Sequence, residues 1–517
     1  MSDADDQDGI IRLLSDPGQY GPGVDRVERI ETHVSEVVLA GDRALKLKRA
    51  VVFPYLDFST PEKRREACEA EVRVNRRTAP GIYKGVLKVT RRAGGGFAIG
   101  GDGPAVDWLV EMRRFDQDTL FDRLARKGAL KRAMMEDLAD AIAAFHAEAE
   151  IRDDDGGRDG IAMILDSNAR CFADMGKGVL DPGEADLLTR RSDEMLATVA
   201  GVLDRRRRMG RVRHCHGDLH LRNICLVDGR PTLFDAIEFD MAFATIDVLY
   251  DLAFLLMDLE HRGHRRLASI VFNRYLDVTG DGAPEAGGLR VTALFLSMRA
   301  AIRAHVDAAQ AASLADRDKA RARAEEARDY LGRAITYLVP VPPRLIAVGG
   351  LSGSGKSRLA RELAPAVGAA PGARVVRTDV IRKRLAGVPL DRPLGADGYT
   401  REMTERTYAA MGAEAAEGLA AGQSVIADAV FAGPAERQAI AGVAAAAGAP
   451  FDGLWLEAAP QVMAARIRER RRNVSDADEG VLQKQLAYDL GALKWRRLDS
   501  SGSRADTSQA GLAALGL

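Results

Sequence analysis

The chain has 517 residues, 46% of them hydrophobic and 29% charged, with 74 Lys and Arg against 75 Asp and Glu and a formal net charge of −1. Two or three domains of ordinary size fit that length, each with room for its own core. So even a balance excludes a global electrostatic attraction to nucleic acid or an anionic membrane, and leaves only local basic clusters to hold phosphate.

The first residues, MSDADDQD, are acidic and polar, without the basic start and apolar run of a secretory leader. Residues 1–25 read as a polar lead-in with a short helix. Residues 30–39 are strand-like, Gly41-Asp42 signals a turn, and residues 44–47 form the next strand. Residues 60–78 have helical period, with Pro61 in the first turn. Strands are expected at 85–90 and 97–101 around the turn 94–96, and again at 105–113. Residues 118–205 are mainly helical, and 212–239 are rich in short strands. Helices follow as far as 338, including a buried one at 248–259. That apolar run contains Asp251 and Asp258 and is too short to span a bilayer, so no membrane partner is expected. The four cysteines, Cys68, Cys171, Cys215 and Cys225, are scattered without CxxC spacing, which predicts a reducing, cytoplasmic setting.

Pro340-Val341-Pro342-Pro343 breaks the helical pattern and is expected to be a linker. After it the pattern alternates. A strand at 344–349 leads to a Gly-rich turn and a helix from Lys356, and strands recur at 375–378, 424–427 and 453–457. Alternation of this kind predicts an α/β domain with a parallel sheet. The expected division is 1–339, a linker at 340–343, and 344–517.

Gly350-Leu351-Ser352-Gly353-Ser354-Gly355-Lys356-Ser357 fits the P-loop pattern GxxxxGK[ST], with strand before and helix after. Its glycines let successive N–H groups face phosphate oxygens, and the helix N-terminus adds positive potential. Gly350, Ser352, Gly353, Ser354, Gly355, Lys356 and Ser357 are thus the expected ATP contacts, with Lys356 on the β and γ phosphates and Ser357 on Mg²⁺. Asp379 follows the second strand of this domain and is the candidate base for an acceptor hydroxyl, with a helix N-cap as the bland alternative. Arg382, one turn on, is the candidate for an anionic substrate. Asp428, at the end of another strand, suits a Mg²⁺ contact. Arg466 and Arg470 share a helix face and are candidate lid arginines for the γ-phosphate, or simply a solvated basic face.

Residues 344–517 resemble the small P-loop kinases that include gluconate kinase, zeta toxins and phage polynucleotide kinase domains. The matching pieces are GLSGSGKS, RTDVIRKRL, VIADAVF and the arginine-rich stretch ending in SDA. The resemblance implies a base at Asp379 and phosphate contacts at Arg466 and Arg470. Nothing matches the arginine finger and sensors of ring-forming ATPases.

The second dense cluster is His214-Cys215-His216-Gly217-Asp218-Leu219-His220-Leu221-Arg222-Asn223-Ile224-Cys225. A zinc site is the first thought, but neighbouring strand residues point to opposite faces and no second ligand pair follows. A kinase catalytic loop explains more of it. Asp218 and Asn223 have the D-x-x-x-x-N spacing, which makes Asp218 the candidate base and Asn223 a Mg²⁺ ligand. Asp235, ending the next strand, is the candidate second Mg²⁺ ligand.

Residues 30–335 resemble the aminoglycoside phosphotransferase and choline kinase superfamily, whose fold is that of protein kinases. HGDLHLRNI and FDAIEF carry the resemblance, with Asp247 and Asp251 in ATIDVLYDLAF as structural acids. The metal Asp of that family follows Ile, whereas Asp235 follows Phe234. The resemblance implies a bilobal α+β kinase-like domain, N-lobe about 25–113 and C-lobe about 114–339. It also implies a phosphate-binding lysine, Lys46 in preference to Lys48, a glutamate partner, Glu71 in preference to Glu69, and an adenine hinge at 108–113. No HRD, APE or long activation segment is present, which favours a small-molecule kinase.

The two resemblances together are those of a bifunctional aminoglycoside phosphotransferase/ATP-binding protein family. The expected activity is ATP- and Mg²⁺-dependent transfer of the γ-phosphoryl group to a small-molecule hydroxyl, of the sugar or amino-sugar class. The alternatives are one catalytic domain regulated by an ATP-binding P-loop domain, or a P-loop domain acting on nucleic-acid ends, which the neutral charge disfavours.

Overall fold

In the computed structural model, which describes residues 3–32, 34–53, 56–469 and 474–517, alternation along the strand Arg43–Lys48 sets the first layer. Leu45 and Leu47 are buried in one cluster with Ile10 and Leu14 of the helix Asp3–Leu14. Lys46 and Lys48, on the opposite face, reach Glu71 of the helix Pro61–Asn75. That helix starts at Thr60, whose Oγ1 accepts from the Lys63 N–H, with Pro61 in its first turn. It packs Cys68 and Val72 against Val110 of the sheet.

The sheet is antiparallel and six-stranded, in the order Val27–Glu31, Ser35–Ala40, Arg43–Lys48, Ala105–Arg113, Tyr83–Arg91, Phe97–Ile99. Of residues 108–113, expected as the hinge, 109–112 lie in a central strand paired on both sides, with Trp108 and Arg113 each paired on one. The backbone groups of 109–112 are committed to the ladders, which leaves them unavailable to adenine. The chain leaves the sheet only after Arg113. The helices Phe121–Arg126 and Arg132–Glu148 follow, then the pair Val212–His214 and Thr245–Asp247 and the hairpin Ile224–Val227 with Arg230–Leu233. Asp228 and Gly229 turn that hairpin, both at positive φ (51° and 75°) as a two-residue turn of this hand requires. These elements make up one compact unit, residues 1–155 with 212–251.

The second unit comprises 156–211 and 252–517. Its sheet is parallel and five-stranded, in the order Arg374–Arg377, Val425–Asp428, Leu345–Gly350, Phe451–Glu457, Arg496–Asp499. Every residue of the central strand Leu345–Gly350 is buried, as a strand covered on both faces requires. Leu345 and Ala347 enter one cluster, Ile346 and Val348 the other. The edge strand Arg496–Asp499, sequence RRLD and mostly exposed, carries no apolar run and was not among the expected strands. No described helix is long and apolar enough to cross a membrane, and residues 248–259 fall in the largely buried helix Val248–His261.

The unit does not begin at the Pro-rich stretch 340–343. The helices Arg265–Thr279 and Gly288–Ser313 belong to it. Asn273 shows why. It is buried, donates Nδ2–H to the carbonyl of Ala373 (3.1 Å) and accepts the Val375 N–H at Oδ1 (2.8 Å), so one side chain completes the edge of Arg374–Arg377. Beside it the buried Arg374 pairs with Asp277 at 2.6 Å, and Arg265 donates to the carbonyls of Pro365 and Gly368. Asn273→Leu strands one amide N–H and one carbonyl in a buried place, and is expected to cost about 3 kcal/mol. Urea unfolding of the full chain measures it.

A second test concerns acid stability. His305 sits edge-on to Phe172, with Nε2 3.2 Å from Asn168 Oδ1. Burial, helped by Arg303, pushes its pKa down to about 4. The ring is neutral in the folded chain and takes up a proton more readily when unfolded, so its contribution is full above about pH 6.5 and is lost as pH falls towards 4. Unfolding free energies measured down that range are expected to lose up to about 3 kcal/mol through this residue, a loss absent in His305→Gln.

Candidate functional site

The loop 215–223 in the first unit is shaped by one buried acid. Asp251 accepts the N–H of His216 at Oδ2 (3.0 Å) and of Gly217 at Oδ1 (2.9 Å), and His146 Nε2 lies 3.1 Å from Oδ2. Gly217 has φ +83°, and a Cβ there would come within 2.9 Å of Ile237. His216 is fully buried. Its Nε2 lies 3.0 Å from the Phe234 carbonyl, and its Nδ1 accepts the Asp218 N–H at 3.3 Å. Both ring nitrogens are therefore spent on the backbone, which removes His216 as a zinc ligand. His146, Cys215 and Asp251 do lie close enough to hold an ion, but all three are buried and the Asp251 oxygens are taken by these bonds. Asp247, whose Oδ1 accepts the Leu249 N–H, acts in the same local way.

The loop presents Asp218 half exposed. Asn223 Nδ2 donates to the Asp218 carbonyl (3.0 Å) and to its Oδ2 (2.9 Å), and His220 Nε2 is 3.4 Å from that oxygen. Asn223 itself is buried. Asp235 follows the hairpin with φ +60°, a left-handed conformation that is uncommon outside glycine, although asparagine and aspartate adopt it more readily than most residues. The Asp235 N–H donates to Tyr83 Oη (3.2 Å), and the Ala236 N–H donates to Asn75 Oδ1 (2.8 Å). Lys46 Nζ lies between Asp235 Oδ1 (2.8 Å) and Glu71 Oε1 (2.9 Å). Glu69, the alternative to Glu71, faces outward to Arg65. Burial alone would push the Lys46 ammonium down, but Asp235, Glu71 and Glu238 outweigh it and hold it well above the usual lysine range. The site thus gathers Asp218, Asn223, Asp235, Lys46 and Glu71. Amide and carboxylate oxygens are the ligands Mg²⁺ takes, and a lysine beside them suits nucleotide phosphate.

In the second unit the loop 350–357 wraps between the strand Leu345–Gly350 and the helix Lys356–Leu363. Gly350, Gly353 and Gly355 have φ +146°, +84° and +95°. A Cβ on Gly350 would meet Ser354 Oγ at 2.6 Å, and one on Gly353 the Met463 carbonyl at 2.5 Å. The Ser352 N–H donates to Gln485 Oε1 (2.7 Å), and Ser500 Oγ donates to the Ser354 carbonyl (2.7 Å). Lys356 and Ser357 open the helix, half buried. Asp428 lies on the strand next to the one that feeds this loop, and Arg377 Nε contacts its Oδ2 at 3.3 Å. Ser354 Oγ, Asp428 Oδ1 and Arg377 Nη2 are buried without a hydrogen-bond partner among the described residues. Three orphaned polar atoms around a loop that no side chain could enter fit a site built for phosphate and a cation.

Asp379 is half buried in the first turn of the helix Thr378–Leu385, whose N-cap is Arg377 with no side-chain cap bond, so Asp379 is not the cap. Arg382 is buried, donating to the Gly398 carbonyl (2.8 Å) and Thr404 Oγ1 (3.2 Å) under the ring of Tyr399. Arg466 donates to the Ser500 carbonyl (2.7 Å), and its Nη1 is 3.9 Å from where a Gly355 Cβ would stand. Arg470 lies outside the described residues. Sequence reasoning passed over Arg377 and Gln485. Arg377 had a signal, standing two residues before Asp379 at a strand end. Gln485 had none, being 133 positions from its partner.

Two family models match. The phosphotransferase enzyme family covers residues 106–289 and an AAA domain model covers 345–489. The chain is 30% identical over 485 residues to the protein Rv2004c of Mycobacterium tuberculosis, a match covering 92% of each chain, and equally to Mb2027c of Mycobacterium bovis. Among solved structures it is similar to a gluconokinase from Sinorhizobium meliloti 1021, with 25% identity and a TM-score of 0.26, over 34% of this chain and 93% of that one. It is also similar to a choline/ethanolamine kinase family protein from Mesorhizobium loti, with 14% identity and a TM-score of 0.37, over 64% and 98%. The chain, an ATP-dependent phosphotransferase that joins a part matched by the phosphotransferase enzyme family model to a P-loop part matched by the AAA domain model, belongs to the same family as these mycobacterial proteins.

Proposed function

We propose that the chain is bifunctional, with residues 1–339 and 344–517 each transferring the γ-phosphoryl group of ATP to a hydroxyl of a small molecule of the sugar or amino-sugar class. The observation that carries the reading is Lys46 held between Glu71 and Asp235, in the same unit as an Asp218 braced by Asn223. In the kinase-like part Asp218 accepts the acceptor's hydroxyl proton as the oxygen attacks the γ-phosphorus and ADP leaves. Lys46 holds phosphate, and Asn223 and Asp235 would hold Mg²⁺. In the P-loop part the backbone of 350–357 and Lys356 hold the phosphates, and Ser357 and Asp428 would hold Mg²⁺. There Asp379 takes the hydroxyl proton, Arg382 orients an anionic acceptor, and Arg466, with Arg470, offsets charge on the transferred group. Mg²⁺, when bound at either place, neutralises charge on the phosphate oxygens.

The buried orphans Arg377 Nη2, Asp428 Oδ1 and Ser354 Oγ support the same reading at the second place. The test is an ATP-consumption screen of the full chain over sugars, amino sugars, nucleosides and RNA ends. It is run on the parent, on Asp218→Asn and on Lys356→Ala. The proposal expects acceptors whose turnover one variant abolishes and the other keeps. Turnover that survives both substitutions with every acceptor overturns it.

A further inference from the structure

The mechanism above uses one lysine of the strand Arg43–Lys48, but two stand on the same face. Lys48 is the more deeply placed, with its side chain 1% exposed against 13% for Lys46. Its ammonium donates to two carboxylates, Glu71 Oε2 at 2.7 Å and Glu238 Oε1 at 2.5 Å, and the face of Phe58 lies 5.0 Å away at the ring centre. Two of its three donors are held by carboxylates, and Phe58 covers it. Glu71 therefore serves two lysines, Lys46 through Oε1 and Lys48 through Oε2.

The contacts run in a line: Asp235, Lys46, Glu71, Lys48, Glu238. Its two ends are three residues apart in sequence, so the line closes on the segment 235–238. The backbone of that segment is fastened as well. The N–H of Asp235 goes to Tyr83, that of Ala236 to Asn75, and that of Ile237 to the His216 carbonyl at 3.0 Å. Both ends are held by side chain, and the amides of Asp235, Ala236 and Ile237 are held as well, while Asp235 keeps a left-handed backbone. The line also carries three carboxylates against two ammoniums. Glu71 and Lys48 are buried, Lys46 is 13% exposed, and the Asp235 carboxylate is 43% exposed. Asp235 is the most exposed carboxylate of the line and the one placed to meet a cation.

We propose that Lys48 and Glu238 are positioning residues for the Mg²⁺ site of the kinase-like part: a second, buried lysine–glutamate pair that fixes the segment carrying Asp235 and touches neither nucleotide nor metal. This rests on the assignment of Asp235 as a Mg²⁺ ligand. Supporting groups of this kind, one shell behind a metal ligand, are worth about 10–100-fold in metal affinity.

The test uses the full chain carrying Lys356→Ala, so that the P-loop site contributes little, and follows binding of AMP-PNP while Mg²⁺ is titrated. Glu238→Gln, which keeps the side-chain shape, and Lys48→Met are each expected to raise the half-saturating Mg²⁺ concentration about tenfold. The double variant is expected to be no worse than either single one, because each breaks the same pair. AMP-PNP binding in EDTA should stay within about twofold of the parent, since neither residue meets the nucleotide. An unchanged Mg²⁺ requirement in Glu238→Gln overturns the proposal, as does a double variant whose losses multiply, or a loss of binding in EDTA for Lys48→Met. Asp235→Asn separates the two levels. If it too leaves the Mg²⁺ requirement unchanged, the metal assignment itself fails and the clamp with it. If it raises the requirement and Glu238→Gln does not, the clamp alone fails.

Discussion

Asp218→Asn is expected to lower phosphoryl transfer at the kinase-like site by about 10³-fold, within the range that a positioned base contributes. Nucleotide binding should barely move. Asp218 is held by Asn223 and His220 at the mouth of the loop, whereas Lys46, Glu71 and Asp235 form their own bonded group. An asparagine keeps the contact with Asn223 by turning its amide oxygen towards Nδ2, so the loop remains folded and only the proton acceptor is lost. The discriminating measurement pairs turnover with AMP-PNP binding in the same variant. A fall in both by the same factor would mean that Asp218 shapes the nucleotide site instead. Lys46→Met should show that other pattern, because it removes the phosphate contact and takes one of its two ammonium partners from the buried Glu71.

The two loops that carry the chemistry were legible in the sequence for a physical reason. In each, a stretch of eight residues carries most of the turn, backbone donors and charged groups, so spacing reveals the chemistry even where distant residues such as Asp251 and Gln485 complete the geometry. The D-x-x-x-x-N spacing brings Asn223, at the end of the 3-10 turn Leu221–Asn223, back onto Asp218. The glycines of 350–357 occupy backbone conformations that side chains would block. What was not legible depends on pairs far apart in the chain. Lys48 and Glu238 are 190 positions apart, and Asn273 and Val375 are 102 apart. The choice of Lys46 over Lys48 shows the limit. Alternation put both on one face, and nothing in six residues says which would be sealed under Phe58 and which would face Asp235. The strand Arg496–Asp499 was missed because an edge strand at the rim of a parallel sheet needs no apolar run. The Pro-rich stretch at 340–343 read as a boundary, since proline ends helices. Proline says nothing of which segments pack together beyond it, and Asn273, Arg374 and Arg265 make contacts between segments on its two sides.

Lys356→Ala is the substitution that decides whether the second phosphate site is an enzyme or a regulator. Loss of one preorganised cation on a transferring phosphoryl group is expected to cost about 10²–10³-fold in turnover at the P-loop part. The loop itself should survive. Its shape is set by Gly350, Gly353 and Gly355, by the Gln485 contact to the Ser352 amide, and by the Ser500 contact to the Ser354 carbonyl, none of which involves the lysine side chain. If both parts are catalytic, acceptors whose phosphorylation depends on Asp218 should be turned over by Lys356→Ala at close to the parent rate. If the P-loop instead gates the kinase-like part, that same substitution should depress Asp218-dependent turnover and should do so as a function of ATP concentration. Arg377→Met sharpens the choice. Arg377 is buried beside Asp428, and among the described residues its Nη2 has no hydrogen-bond partner, which places a guanidinium donor ready for a charged group beside Asp428. Loss of P-loop turnover in Arg377→Met with AMP-PNP binding retained would be the signature of a catalytic second site, whereas loss of binding alone would point to a sensor.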